Sequence, residues 1–261
     1  MTVARAKPDP LAAMLDAARI AGEIALEGLR RPREIAQKAR RADIVTDTDR
    51  ASEAAILTRL GADFPNASML TEETGAHGGS SDERFVIDPI DGTTNFAHGY
   101  PLFCISIAYE RAGELVAGVI HAPALGETFV AERGAGARFN GDPMRVSSIG
   151  RLGDALTCTG FHPADFERNA PYFRAVSDRA QAVRRDGSAA LDLAYVACGR
   201  FDGFWEWDLH AWDVAAGSLL VREAGGTVTA IDGTATALDA GTILATNGTI
   251  HMELQAALAA A

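Results

Sequence analysis

Cysteine is scarce in this chain of 261 residues, and its three thiols, Cys104, Cys158 and Cys198, are far apart in the sequence. No CxxC pair occurs, so the sequence indicates neither a zinc site nor a disulfide framework. Buried thiols in a reducing compartment are the simplest interpretation, and we expect a cytoplasmic protein.

Long apolar runs and an excess of basic residues are also missing. No run approaches the ~18–20 residues of a membrane helix, so we expect neither a membrane span nor a signal peptide. The net charge is −11, which argues against a general binder of nucleic acids or anionic membranes. It does not exclude an acidic pocket that is neutralised by metal.

Several catalytic motifs are absent: no GxSxG elbow, no HExxH and no Walker A loop occurs. The six histidines are scattered, and we interpret each as structural or exposed. Apolar residues make up 48% of the chain, which is enough for a sizeable core.

The most informative stretch is residues 85–96, which read FVIDPIDGTTNF. Residues 85–87 predict a strand that is buried on both faces, and Pro89, which has no N–H to donate, is expected to end it. Asp88 and Asp91 follow the strand, and Gly92 permits a sharp turn and a close ligand. Two carboxylates before a run of hydroxyl and N–H donors suit a hard cation that holds a phosphate. The alternative is an Asx-type turn without a ligand.

Two more acids, Glu72 and Asp213, are also predicted at the ends of elements. If they converge with Asp88 and Asp91, like charges ~5 Å apart repel by ~3 kcal/mol per pair at an effective dielectric constant of 20. Such a cluster needs a metal or raised pKa values, and an all-oxygen ligand set selects Mg²⁺, Ca²⁺ or Mn²⁺. The sequence leaves open whether these acids converge.

Strands and helices alternate along the chain, which predicts an α/β fold with layered sheets. We expect one domain over residues 1–261, with an N-terminal lobe over about 1–145 and a C-terminal lobe over about 146–261. Residues 33–49 are predicted to form a loop or hairpin, residues 134–136 turns, and residues 164–182 mostly helix. Asp213 is expected to open a helix over residues 214–224.

At the acidic residues described above, the chain resembles the inositol monophosphatase family of Mg²⁺-dependent, lithium-sensitive sugar phosphatases. The matching segments are residues 43–49 (DIVTDTD), 70–74 (LTEET), 86–96 (VIDPIDGTTNF), 187–190 (GSAA), 209–216 (LHAWDVAA) and 223–226 (EAGG). The resemblance implies a layered αβαβα sandwich, as in inositol monophosphatase and fructose-1,6-bisphosphatase, and a homodimer.

The resemblance also assigns roles. Two or three Mg²⁺ ions are implied, with ligands Glu72, Asp88, Asp91, Asp213 and the carbonyl of Ile90. The implied catalytic residues are Glu72, Asp49, Thr93 and Lys38; a lone lysine in such a charged stretch is otherwise solvated surface. The implied substrate contacts are Asp91, Gly92, Thr93, Gly187, Ser188, Ala189 and Glu206. Residues 159–163 (TGFHP) depart from the better-known members.

The expected activity is hydrolysis of myo-inositol phosphate by in-line attack of a metal-activated water. Histidinol phosphate, fructose 1,6-bisphosphate and a 3′-phosphonucleotide are alternative substrates. A protein-interaction role in transcription or RNA processing is an alternative of another class. Glu206 is predicted to accept hydrogen bonds from substrate hydroxyls; the alternative is an outward-facing side chain on an alternating strand.

Overall fold

The structure is a computed structural model that describes residues 8–31, 34–37, 44–235 and 237–261. Lys38 therefore lies outside the described residues. The helices are α1 (Pro10–Leu29), α2 (Asp47–Asp63), α3 (Thr93–Ala97), α4 (Phe166–Ser177), α5 (Ala189–Ala197), α6 (Ala211–Glu223) and α7 (His251–Ala259). Among the helices of these segments, none combines the length and hydropathy of a membrane span.

Within the described segments the larger sheet has eight strands, in the spatial order β10-β9-β8-β7-β6-β5-β3-β4. They are β3 (Ser68–Thr71), β4 (Gly75–His77), β5 (Glu83–Asp91), β6 (Cys104–Arg111), β7 (Glu114–Ala122), β8 (Glu127–Glu132), β9 (Gly136–Phe139) and β10 (Asp142–Met144). β5 pairs in parallel with β3 and antiparallel with β6, so it lies inside the sheet.

The smaller sheet has five strands in the same segments, in the order β12-β11-β13-β15-β14. They are β11 (Leu156–Thr159), β12 (Ala182–Arg184), β13 (Gly203–Trp207), β14 (Thr227–Thr229) and β15 (Thr242–Thr246). β1 (Ile35–Gln37) and β2 (Ile44–Thr46) form a separate antiparallel pair, which confirms the hairpin predicted over residues 33–49.

The helices and sheets stack in five layers. α1 and α2 pack on the outer face of the larger sheet, where Met14 and Ile56 meet Phe85 and Ile87. α5 and α6 fill the space between the two sheets. α4 and α7 cover the outer face of the smaller sheet, on the side of Trp205. This order is αβαβα, and the predicted layered sandwich is confirmed.

Local sequence signals account for the helix starts that matter most. Asp9 caps α1, since its Oδ1 accepts from the N–H of Leu11 at 3.0 Å, and Pro10 occupies the first helical position. Thr46 caps α2 in a capping box with Asp49. The box draws the Asp49 carboxylate into the protein, where the residue has 0% exposure.

The predicted end of β5 was wrong. The strand continues past Pro89 to Asp91, and the pairing register with β6 shifts between Asp88 and Asp91. The missing N–H of Pro89 therefore falls inside a bulge, where no ladder hydrogen bond is demanded.

Three further boundaries differ from the sequence predictions. Gly136 starts β9 instead of belonging only to turns, and the helix predicted over residues 164–182 ends at Ser177 before the short strand β12. Asp213 is the third residue of α6, which begins at Ala211. These elements are short or pair with distant strands, so local periodicity gives little sign of them.

Candidate active site

The bulge in β5 presents two carboxylates at the end of a buried strand. Asp88 is opposite Ser106 and Asp91 is opposite Cys104 in the pairing with β6. Both acids are buried, with exposures of 1% for Asp88 and 8% for Asp91. The backbone N–H of Ile90 donates to Asp88 Oδ1 at 3.0 Å, which fixes that side chain within the bulge.

Asp213, in the first turn of α6, completes an acidic cluster. Its Oδ2 accepts from the backbone N–H of His210 at 2.7 Å. One ligand atom from each of Asp88, Asp91 and Asp213 lies within 4.8 Å of the others. Glu72 directly follows β3, the parallel neighbour of β5, and lines the same cleft as Asp91 and Asp213. The structure thus brings together acids that lie far apart in the sequence.

Burial and mutual repulsion favour the protonated forms of Asp88 and Asp91. Burial is the main cause of a pKa well above the usual range at Asp88, and the charges of Glu72, Asp91 and Asp213 add to it. Burial raises the pKa of Asp91 to about 6, although hydrogen bonds from Ser188 and Ala190 oppose the shift.

The donor set fits a hard divalent cation. Its atoms are carboxylate oxygens, and they converge within one small volume. Oxygen ligands of this kind suit Mg²⁺, Ca²⁺ or Mn²⁺ better than zinc or copper.

Asp49 and Thr93 form a second polar pair beside the cluster. The Thr93 Oγ lies 3.1 Å from Asp49 Oδ1 and 3.1 Å from the carbonyl oxygen of Ile90. Asp49 Oδ2 accepts from the N–H of Thr46 at 2.8 Å and from the Thr46 hydroxyl. Burial raises the pKa of Asp49, while the hydrogen bonds from Thr46 and Thr93 oppose the rise.

Gly92 makes the turn that brings Thr93 to this position. Its φ is +93°, in the region that favours glycine, and a Cβ there would lie 3.0 Å from the carbonyl oxygen of Leu102. A larger residue would therefore be strained and crowded, and Thr93 would move away from Asp49.

The acidic cluster lies along a cleft of about 370 Å³. The other wall of the cleft comes from segments of the smaller sheet, including Gly160, Phe161, His162, Arg185, Gly187 and Glu206. Ala189 lines the cleft as well, at the first position of α5. The two sheets thus each supply one wall.

Glu206 lines this cleft, so the outward-facing alternative was wrong. A Cβ on Gly160 would lie 2.6 Å from the Glu206 Cδ, so the absence of a side chain at Gly160 makes room for the carboxylate. Burial raises the pKa of Glu206 well above its usual range, with added repulsion from Asp192, Asp213 and Asp91.

Ser188 was predicted to contact the substrate, but its hydroxyl points to the acidic cluster. It donates to Asp91 Oδ2 at 2.6 Å, and the N–H of Ala190 donates to the same oxygen at 2.7 Å. The start of α5 thereby holds Asp91 in place from the opposite side of the bulge.

Two polar residues of the cleft wall, Arg185 and His162, were not predicted from the sequence. Arg185 donates to the carbonyl of Phe161 at 2.5 Å, and its guanidinium carbon lies 4.4 Å from the centre of the Phe161 ring. The His162 Nδ1 accepts from the N–H of Ala164 at 3.1 Å, which assigns the ring proton to Nε2. That Nε2 is buried and has no hydrogen-bond partner in the described residues.

His162 thus has a structural role, as the cap of the turn at Pro163–Asp165, and also lines the cleft. The departure of residues 159–163 from the family pattern was the one signal that pointed to it. Nothing in the sequence signalled Arg185 except its place two residues before the matching GSAA segment.

Comparison with known proteins decides the family. The model of the inositol monophosphatase family matches residues 8–261. The chain belongs to this family. An inositol-1-monophosphatase of Mesorhizobium japonicum is 47% identical over 216 residues, which is 81% of each chain. A fructose-1,6-bisphosphatase/inositol-1-monophosphatase of Thermotoga maritima is 42% identical over 81% of each chain.

A solved structure supports the same assignment. The extragenic suppressor protein suhB of Bartonella henselae superposes with a TM-score of 0.91 at 43% identity, covering 95% of this chain and 97% of that one. The family consists of metal-dependent phosphatases, and the acidic cluster is consistent with that chemistry.

The cluster predicts how stability depends on pH in the metal-free protein. Between the ordinary carboxyl pKa and the raised values, the folded state holds protons that the unfolded state has lost, so raising the pH destabilises the fold. Asp88→Asn should therefore raise the melting temperature in EDTA, by roughly 2–4 °C per kcal/mol gained, and more at pH 7.5 than at pH 5.

Asp154→Asn is the matched control, because Asp154 is an exposed acid paired with Arg151 and its pKa is lowered. It should give no gain that grows with pH. Mg²⁺ should stabilise the wild type more than Asp88→Asn, by mass action. Equal metal-induced shifts in both proteins, measured by calorimetry, would show that Asp88 is not part of a cation site.

Proposed function

We propose that this protein is a Mg²⁺-dependent phosphatase that hydrolyses the phosphate monoester of a small polyol, with inositol 1-phosphate as the leading substrate. One observation carries the proposal: three convergent carboxylates lie at one wall of a cleft whose other wall holds a further carboxylate suited to hydroxyl groups. A phosphorylated sugar alcohol has a phosphate for the cations at the acidic wall and hydroxyl groups for the carboxylate at the other wall.

The cations would be held by Asp88, Asp91 and Asp213, with Glu72 and the carbonyl of Ile90. When bound, they would neutralise phosphate charge and acidify a bound water. Ser188 and Ala190 keep one oxygen of Asp91 occupied, which leaves the other oxygen to face the cleft. The N–H of His210 holds one oxygen of Asp213.

Thr93 and Asp49 are placed to accept a proton from the attacking water. If the Thr93 hydroxyl donates to Asp49 Oδ1, the Thr93 Oγ keeps lone pairs for a water in the cleft. The water's proton can pass to Thr93 Oγ as the Thr93 proton passes to Asp49. The raised pKa of Asp49 favours that acceptance.

Phosphoryl transfer depends on positioning and charge stabilisation, so no nucleophilic side chain is needed. The family resemblance assigns Gly92 and Thr93 to the phosphate through their N–H groups. Glu206, with the turn at Gly187, would then meet the hydroxyl groups on the alcohol side.

Asp91→Asn tests the metal-dependent reaction. The substitution keeps the shape of the side chain and removes its charge, so kcat should fall at least ~100-fold, the scale of a lost electrostatic group at a reacting centre. Steady-state hydrolysis of inositol 1-phosphate in Mg²⁺ measures the change. The control Asp154→Asn should keep wild-type rates, and full wild-type activity in EDTA would contradict the proposal.

Glu206→Gln tests the side of the cleft that would hold the alcohol. A site built around a charged acceptor loses roughly 1.5–3 kcal/mol when that charge is removed, so kcat/KM for inositol 1-phosphate should fall about 10- to 150-fold. Hydrolysis of p-nitrophenyl phosphate, which has no hydroxyl groups to recognise, should stay nearly unchanged. Equal losses on both substrates would place Glu206 in the fold or the metal shell instead.

Arg185 favours a second candidate substrate, a sugar bisphosphate such as fructose 1,6-bisphosphate. Its guanidinium lines the cleft wall across from the acidic cluster, and His162 adds an N–H donor without a partner in the described residues. A second phosphate at that wall would find both a cation and a donor. The name of the Thermotoga maritima relative states both activities.

Arg185→Gln separates the two candidates. Loss of a charged hydrogen bond to a second phosphate should raise KM for fructose 1,6-bisphosphate about tenfold or more, with little change for inositol 1-phosphate. Arg184→Gln is the matched control, since Arg184 is the neighbouring exposed arginine and bonds only the carbonyl of Val183 in the described structure. An unchanged ratio of the two KM values would rule out the second subsite.

A further inference from the structure

A second group of ligand-type side chains lies behind the cleft wall. Cys158 is on β11, Asp186 follows β12, and Asp192 is in the first turn of α5. β11 and β12 are parallel neighbours, and Cys158 lies opposite Arg184. Asp186, two residues after Arg184, therefore lies near the end of β11 where Cys158 is found. One ligand atom from each of the three residues lies within 4.8 Å of the others.

Asp192 is the member of this group that has a buried oxygen without a hydrogen-bond partner in the described residues. Its exposure is 1%, and its Oδ2 accepts from the Cys158 Sγ at 3.2 Å. Its Oδ1 is buried and has no hydrogen-bond partner within the described segments. A buried polar atom without a partner costs about 1–3 kcal/mol, and more when it is charged, so this oxygen calls for a ligand.

We propose that Cys158, Asp186 and Asp192 form a second cation site, separate from the Asp88–Asp91–Asp213 cluster, that binds a thiophilic divalent metal such as Zn²⁺ or Cd²⁺. The sequence did not indicate it, because no two of its ligands are close enough in the chain to form a recognisable metal-binding motif.

The donor atoms determine the choice of metal. A sulfur ligand selects soft or borderline ions, whereas the all-oxygen cluster in the cleft selects hard ones. Donors around tetrahedral zinc are about 3.3–3.5 Å apart, given the usual Zn–S and Zn–O distances, so side-chain rotations of about 1 Å would close the site. A water can complete the coordination.

Metal binding here is an exchange of a proton for a cation. Burial raises the pKa of the Cys158 thiol, so the metal-free protein holds the S–H bond. On binding, that bond breaks, a sulfur–metal bond forms, and the proton leaves to solvent. Asp186 is only partly buried, so it offers the route between the site and water.

The site adjoins the segment that lines the active-site cleft. Asp186 immediately precedes Gly187 and Ser188, and the Ser188 hydroxyl bonds Asp91. The carbonyl of Asp186 also accepts from the side-chain amide of Asn95 at 2.7 Å. A metal that draws Asp186 toward Cys158 would therefore also restrain residues 186–188, which are hydrogen-bonded to Asp91 and Asn95 on the acidic wall.

Cadmium titration of the reduced, full-length protein tests the proposal. Saturating Mg²⁺ is present throughout to fill the all-oxygen cluster. The ultraviolet charge-transfer band of a thiolate–cadmium bond should grow to one equivalent per chain. Added Zn²⁺ should abolish the band, since it competes for the same ligands.

Single-cysteine variants identify the thiol. Cys158→Ser should lose the band, while Cys104→Ser and Cys198→Ser should keep it; Cys104 is the necessary control because its Sγ lies 3.8 Å from Asp91 Oδ2. Asp186→Asn, at a partly exposed position, should weaken cadmium binding by about tenfold or more. A wild-type protein without the band, or a band that survives Cys158→Ser or disappears in Cys104→Ser, would overturn the proposal.

Discussion

The repulsion among three convergent carboxylates, of which Asp88 and Asp91 are buried, is the constraint on which the rest of the site depends. Asp88 and Asp91 lie at the end of a strand that is covered by helices on both faces, so water screens them poorly. Each acid is then held by backbone donors: the N–H of Ile90 for Asp88, Ala190 for Asp91 and His210 for Asp213. The fold keeps the charges together, and a cation or protons must complete the balance.

The space between the two sheets contains the contacts that hold Asp91 in place. Asp91 belongs to the larger sheet, yet its Oδ2 accepts from Ser188 and Ala190 at the start of α5. The side-chain amide of Asn95 lies 2.7 Å from both the Leu102 carbonyl and the Asp186 carbonyl, which joins the two walls once more. Since the cleft is built from both sheets, a change in their packing alters the distance between the acidic cluster and Glu206.

The acids of the acidic wall could be picked out from the sequence because their signals are local, whereas their convergence could not. A buried apolar strand followed by two aspartates can be recognised within twelve residues, and Asp213 marks the start of a helix in the same way. The bulge at Pro89 escaped prediction, because whether a strand continues past a proline depends on its neighbour's register. His162 and Arg185 escaped as well, since their place in the cleft arises from the packing of loops that are far apart in the sequence.

The two walls differ in how strongly the chemistry constrains them. At the acidic wall, Asp88 and Asp91 each accept from a backbone N–H, so a shift of either side chain would break that hydrogen bond. The opposite wall consists of loop residues around Gly160 and Arg185, whose contacts are with one another instead of with the cluster. Substitutions there can reshape the cleft without disturbing the carboxylates. The acidic framework and the loops of the opposite wall are therefore held by different contacts.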